Sequence, residues 1–346
     1  MVDGEILNGS IEMIDNDLGF SLWLDFIERD FLHTEFIEMV ERAIVNGATS
    51  NPSIFAKAIM ESPAYREQLA TLEGLSAKEK YEALAIADIK EAAIALRGVY
   101  DIGSEGYISI EVDPFLSNNT EETVREARRL FKAVGEPNVM IKIPATEAGY
   151  AAMRELLADG ICVNATLVFS PSQARACLDA MKSGIDEFEA TGGERVEAVI
   201  SVFVSRFDRA LDPILQEKGM PTSLTGIMNA AHIYNLIESN HTPSIRTLFA
   251  STGVKGGNLP ADYYIRQLYA PHSVNTAPLE TIEAFENSGE PPLAALPIPQ
   301  EEIDDYFGEL EKAGISIQET RFRLLEEGVK AFEKAFAEMI EKLEKQ

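Results

Sequence analysis

A lysine set inside an apolar run is the residue of this chain best suited to covalent chemistry. Lys142 is flanked by Val139, Met140, Ile141 and Ile143, and Pro144 follows at once. Lysine is rarely buried, because taking the ammonium out of water is costly, and the same burial favours the neutral amine. A neutral amine attacks a carbonyl carbon and forms a Schiff base. The ordinary alternative is a lysine whose stem packs in the core while its head reaches the rim. Schiff-base chemistry also needs groups that shuttle protons. Asp25, which closes SLWLD, and Glu111, which closes YISIE, could do so directly or through a water held by Thr166.

Further polar residues stand in comparable places. Asn51 closes ATSN, Asn164 and Thr166 lie in ICVNATLVF, Ser201 and Phe203 lie in VISVFV, and Ser251 closes TLFAS. Each alone is what a turn or a helix cap would use. A second group suits an anion. Arg206 lies in FVSRFDR and Lys255 in ASTGVKGG, where Gly253, Gly256 and Gly257 permit close backbone approach and Ser251 adds a hydroxyl. A flexible turn accounts for the glycines equally well. Asp113 lies on the same face as Glu111 in an extended chain, but further metal ligands are lacking. His33, His232, His241 and His272 show no metal spacing, and Cys162 and Cys177 form no CxxC pair. With neither GxGxxG after a strand nor a P-loop motif, nucleotide-cofactor readings have no support.

What must position these residues is a repeating pattern of short β-rich runs and helices. The runs are Ser21–Phe26, Ala48–Asn51, Tyr107–Val112, Val139–Ile143, Ile161–Phe169, Val196–Val204, Arg246–Ser251 and Ser273–Thr276. Several are continuously apolar, as strands buried on both faces of a parallel sheet are. The spacing of Phe36, Met39, Val40, Ala43 and Ile44 predicts a helix over Glu35–Val45, with Gly47 as its C-terminal glycine. Eight strands alternating with helices predict an α/β fold, a (β/α)8 TIM barrel, whose active site lies at the C-terminal ends of the strands.

The barrel is expected to occupy residues 1–290, with an extra helical insertion at about 63–100. Residues 291–346 are expected to form a linker with four prolines (EPPLAALPIP begins at Glu290) and C-terminal helices packed on the barrel. The last helix, from Thr320 to about Leu343, carries Phe322, Leu325, Val329, Phe332, Phe336, Met339 and Leu343 at alternating spacings of three and four. Such a seam serves either a helix on the barrel wall or a homodimer.

Composition limits the partners. At 346 residues and 46% hydrophobic the chain can bury a large core. Asp and Glu number 57 against 30 Lys and Arg, a formal charge of −27. That sign argues against nucleic acid and anionic membrane surfaces, and an anionic substrate would need a locally basic pocket. Two cysteines in apolar surroundings read as reduced thiols. The acidic first twenty residues do not resemble a signal peptide, and no apolar run reaches about 18 residues. The expected setting is the cytoplasm.

Seven ordered runs, SLWLDFIERD, NGATSNPSIF, ISIEVDP, VMIKIPAT, VNATLVFS, ISVFVSRFDR and LFASTGVK, resemble transaldolase motifs, and the tail with VNTAP resembles the longer bacterial subfamily. The resemblance implies a class I aldolase-type transferase with no metal or organic cofactor. It would move a dihydroxyacetone unit from sedoheptulose 7-phosphate or fructose 6-phosphate to glyceraldehyde 3-phosphate or erythrose 4-phosphate in the non-oxidative pentose phosphate pathway. It assigns the Schiff base to Lys142, cleavage acid/base chemistry to Asp25, and the catalytic water to Glu111 and Thr166. Asn51, Asn164 and Ser201 would bind the three-carbon unit, and Arg206, Ser251 and Lys255 the phosphate. The spacing STGVK departs from shorter members, in which the basic residue stands two positions after the serine. Phe203 resembles the transferases, since members that release free dihydroxyacetone tend to carry tyrosine there.

Overall fold

A computed structural model describes residues 18–103, 105–255, 259–289 and 291–345. The acidic residues up to Asp17, and Gly256 and Gly257 of the glycine loop, lie outside the described residues. Eight parallel strands close into a barrel in sequence order. They are β1 Phe20–Leu24, β2 Gly47–Thr49, β3 Tyr107–Glu111, β4 Val139–Pro144, β5 Val163–Val168, β6 Ala198–Phe203, β7 Ile245–Ala250 and β8 Ser273–Ala277. Every strand residue is buried, one face on the barrel interior and the other under helices, which is why the runs read as unbroken apolar segments. Closure of the ring by β1 against β8 leaves no open sheet edge. The insertion contains a short 3-10 turn at Pro63–Tyr65 and helices Arg66–Thr71 and Ala77–Ile102. Among the described residues, no helix is long and apolar enough to cross a membrane.

Turn chemistry at the strand ends does two jobs. Asn51 caps the Pro52–Glu61 helix, its side chain accepting from the Ser53 and Ile54 amides at 3.0 and 3.1 Å. Thr146 and Ser170 cap the helices after β4 and β5 in the same way. The opposite end of the barrel is plugged by Arg246, ion-paired with Glu105, which also accepts from Ser21 and from the Trp23 indole.

Two expectations about helices are corrected. The second helix is Glu35–Glu41 and stops short of Val45, and Ala43 takes the left-handed turn at φ 53°. Gly47 is no cap. It is a β2 residue facing Trp23, whose indole nitrogen would lie 2.5 Å from any Cβ there, so the bare backbone makes room for the buried ring.

The second correction concerns the C-terminal helix, Ile317–Glu344. Its buried face begins with Ile317, Thr320, Leu324 and Gly328 and continues through Phe332, Phe336, Met339 and Leu343. Phe322 is 64% exposed, and Leu325 and Val329 are only partly buried. At Gly328 the helix approaches the barrel too closely for a large side chain. A Cβ on Gly328 would sit 3.0 Å from Leu167 and 3.2 Å from the Arg206 guanidinium.

Candidate active site

The parallel register sets the centre of the site. Glu111 on β3 stands opposite Lys142 on β4, and Lys142 stands opposite Asn164 on β5. Partners across neighbouring strands point to the same face of the sheet, so these three polar side chains stand side by side as a polar layer on the inner wall of the barrel. Lys142 is 6% exposed, so it does not reach the outer rim. Its amine donates to the Ser50 carbonyl at 3.0 Å and lies 3.9 Å from the Glu111 carboxylate.

Three buried oxygens beside this layer have no hydrogen-bond partner, both of Glu111 and the hydroxyl of Thr166. Burial pushes the Glu111 carboxyl up to about 7, against the pull of Lys142 and with a further push from Asp25. Asp25, one residue beyond β1, is also raised by burial, while Lys142 and a 2.7 Å hydrogen bond from the Thr49 hydroxyl oppose the shift. Thr49 in turn lies 2.7 Å from the Thr276 hydroxyl on β8.

A cavity of about 260 Å3 opens above this layer. Asp25, Asn51, Lys142, Ser201 and Phe203 line it, and so do Arg206, Ser251 and Lys255. Glu111, Asn164 and Thr166 do not border it. The Asn164 amide is fully buried, donating to Ser109 at 3.0 Å and accepting from Ser201 at 2.6 Å. Asn51 keeps its amide nitrogen free to donate, since only its oxygen caps the helix. Ser251, at φ 57°, brings its hydroxyl within 3.1 Å of Ser205. Asp113 turns away to Lys78 at 2.6 Å and is not paired with Glu111.

Arg206 lies over the Phe203 ring at 4.8 Å and near Phe169 at 6.0 Å. Burial and the neighbouring Arg209 lower its guanidinium to about 10. Arg209 and Lys255 line the same cavity, and none of the three cations forms an ion pair with a described residue. In a chain of −27 that is the arrangement an incoming anion would complete. Nothing among the described residues groups three His, Cys, Asp or Glu side chains as a metal site.

Residues 22–343 match the family model described as Transaldolase/Fructose-6-phosphate aldolase. The chain belongs to that family. It is 50% identical over 273 residues to a transaldolase of Campylobacter jejuni subsp. doylei, covering 77% of this chain and 82% of the relative. A transaldolase of Helicobacter pylori strain 26695 is 42% identical over 324 residues, covering 93% of this chain and 98% of the relative. The chain is therefore an enzyme of the transferase class.

Three residues that border or brace the site of this transaldolase-family enzyme carry no sign of that role in the sequence. Arg209 follows Arg206 by three positions, the spacing that puts both on one face once a helix starts at Ser205. Thr49 holds Asp25, and its signal was only its place beside Asn51. Phe332 lies in the tail, far along the chain from any barrel strand.

The raised Glu111 carboxyl gives the pH profile a definite shape. If Glu111 serves as a proton acceptor it works only when ionised, and kcat/KM then falls as pH drops through about 7. Glu111→Gln should remove that limb together with roughly 10²–10⁴ of the rate. A full pH series on both proteins checks this, and an unchanged limb in the variant would assign it elsewhere.

Proposed function

We propose that this enzyme is a transaldolase acting through a Schiff base on Lys142. The supporting observation is that Lys142 and Asp25 open into the same cavity as Arg206, Arg209 and Lys255, so that one end suits a carbonyl and the other a phosphate. The substrates are a ketose phosphate donor, sedoheptulose 7-phosphate or fructose 6-phosphate, and an aldose phosphate acceptor. Such a reaction belongs to the non-oxidative pentose phosphate pathway and to the cytoplasm.

The Lys142 amine adds to the C2 carbonyl of the ketose, and loss of water leaves an iminium. Glu111 receives a proton during addition and returns one to the departing hydroxyl, through a water that it holds with Thr166. Asp25 takes the C4 hydroxyl proton. The C3–C4 bond breaks, its electron pair passes into the iminium as an enamine, and an aldose phosphate leaves. Asn51 donates to a hydroxyl of the remaining three-carbon unit, and Ser201 lies beside it. Asn164, through its bonds to Ser109 and Ser201, orients the neighbouring groups. The enamine carbon then attacks a second aldose phosphate, Asp25 returns its proton to the new hydroxyl, and water hydrolyses the iminium. Ser251 joins the three cations at the phosphate. Phosphate anchoring at the rim aligns the aldehyde with the enamine. Phe203 supports transfer over release of free dihydroxyacetone, because it offers no hydroxyl to activate water at the intermediate.

Borohydride reduction in the presence of fructose 6-phosphate tests the reading. A reduced three-carbon adduct on the Lys142 peptide is the expected mass, and an unmodified lysine would overturn the mechanism. Arg206→Ala should raise KM for fructose 6-phosphate by roughly 10- to 100-fold, the worth of a charge-assisted contact. Steady-state kinetics read this directly, and an unaltered KM would remove Arg206 from phosphate binding.

A further inference from the structure

The C-terminal helix lies across the rim of the barrel, and residues 328, 332 and 336 lie four apart on its buried face. At one end Gly328 is fitted against Leu167, Phe169 and the Arg206 guanidinium. At the other, the Phe336 ring stands edge-on to Tyr81 at 5.3 Å and near Phe115 at 6.3 Å. Phe336 also lines a small recess together with Glu111. Phe332 falls between these two contacts. It is 6% exposed and, of the described residues of this helix, it alone borders the cavity that holds Lys142 and Arg206.

We propose that Phe332 is a specificity-determining residue that sets the length of ketose phosphate the cavity accepts. The proposal rests on the reading that Lys142 holds the carbonyl carbon and Arg206 the phosphate. Both ends of the donor are then fixed by groups on the barrel, and Phe332 walls the space between them. A seven-carbon ketose phosphate has one more carbon to fit between the anchors than a six-carbon one. The extra carbon must bow away from the barrel floor, toward the wall formed by the Phe332 ring. A shorter side chain makes room for the bow, and a larger one removes it. The helix cannot easily yield, because Gly328 and Phe336 are packed on either side.

The test is single-turnover release of aldose phosphate, with enzyme in excess and no acceptor, from sedoheptulose 7-phosphate and from fructose 6-phosphate. Phe332→Ala should raise the seven-to-six-carbon rate ratio by about tenfold, and Phe332→Trp should lower it by about tenfold, the usual worth of one carbon in a shaped pocket. If the alanine variant does not fold, Phe332→Leu carries the same test with a rise of about threefold. A purely structural role scales both donors alike, so a ratio unmoved within about twofold, or moved the same way by smaller and larger side chains, overturns the proposal. Borohydride trapping on the same preparations separates the two levels of the argument. A Lys142 adduct with an unmoved ratio refutes only the role of Phe332, whereas no adduct in the unsubstituted enzyme refutes the Schiff-base reading beneath it.

Discussion

Lys142→Ala should abolish transfer, with kcat down roughly 10⁴- to 10⁶-fold, as loss of a covalent nucleophile does elsewhere. Borohydride should then label no peptide in the presence of fructose 6-phosphate. The fold should survive. The amine makes one hydrogen bond, to the Ser50 carbonyl, and removing a buried cation also removes its desolvation cost. The partner most affected is Glu111, whose carboxyl is already pushed up to about 7 while Lys142 pulls it down. Without that pull burial favours its neutral form further, and Asp25, which loses the same opposing charge, shifts in the same direction. Circular dichroism melts should therefore show one cooperative transition close to that of the unsubstituted enzyme. Turnover above a thousandth of normal would show that another group is the nucleophile.

Asp25→Asn should separate two steps that Lys142→Ala removes together. The carboxamide keeps the shape of the carboxylate, and its oxygen can still accept from Thr49, as Asp25 does at 2.7 Å. It cannot accept a proton. Iminium formation at Lys142 should proceed while cleavage of the C3–C4 bond falls by roughly 10²–10⁴, the usual contribution of a positioned base. Borohydride should accordingly trap the intact six-carbon chain on the Lys142 peptide, where the unsubstituted enzyme yields the three-carbon fragment. The fragment appearing at an undiminished rate would relieve Asp25 of the cleavage role.

The barrel and the inner part of its site were legible in the sequence for a simple physical reason. A strand covered on both faces must be apolar nearly throughout, so a charged residue within such a run is conspicuous, and Lys142 and Glu111 are of this kind. Asp25 and Asn51 were visible because they end such runs. The tail was less legible. An apolar seam through Phe322, Leu325 and Val329 ignores close approach, in which Gly328 is the tightly packed residue and Phe322 faces solvent. Gly47 misled in the same way, since a glycine beside a helix end suggests a cap, and only the Trp23 ring shows why a side chain is excluded. Arg209 gives no local signal, because its meaning depends on where its helix begins. Phe332 requires knowing which way the last helix crosses the mouth, which no local pattern contains.

The three cations at the cavity rim also bear on how fast substrate arrives. The molecule as a whole carries −27, so a sugar phosphate still tens of ångströms away is pushed back, and only in the last stretch does Arg206, Arg209 or Lys255 draw it in. Dissolved salt weakens the distant push far more than the close pull, because its reach at physiological strength is about 8 Å. Capture of the phosphate is therefore hindered most in dilute buffer, and physiological ionic strength favours it.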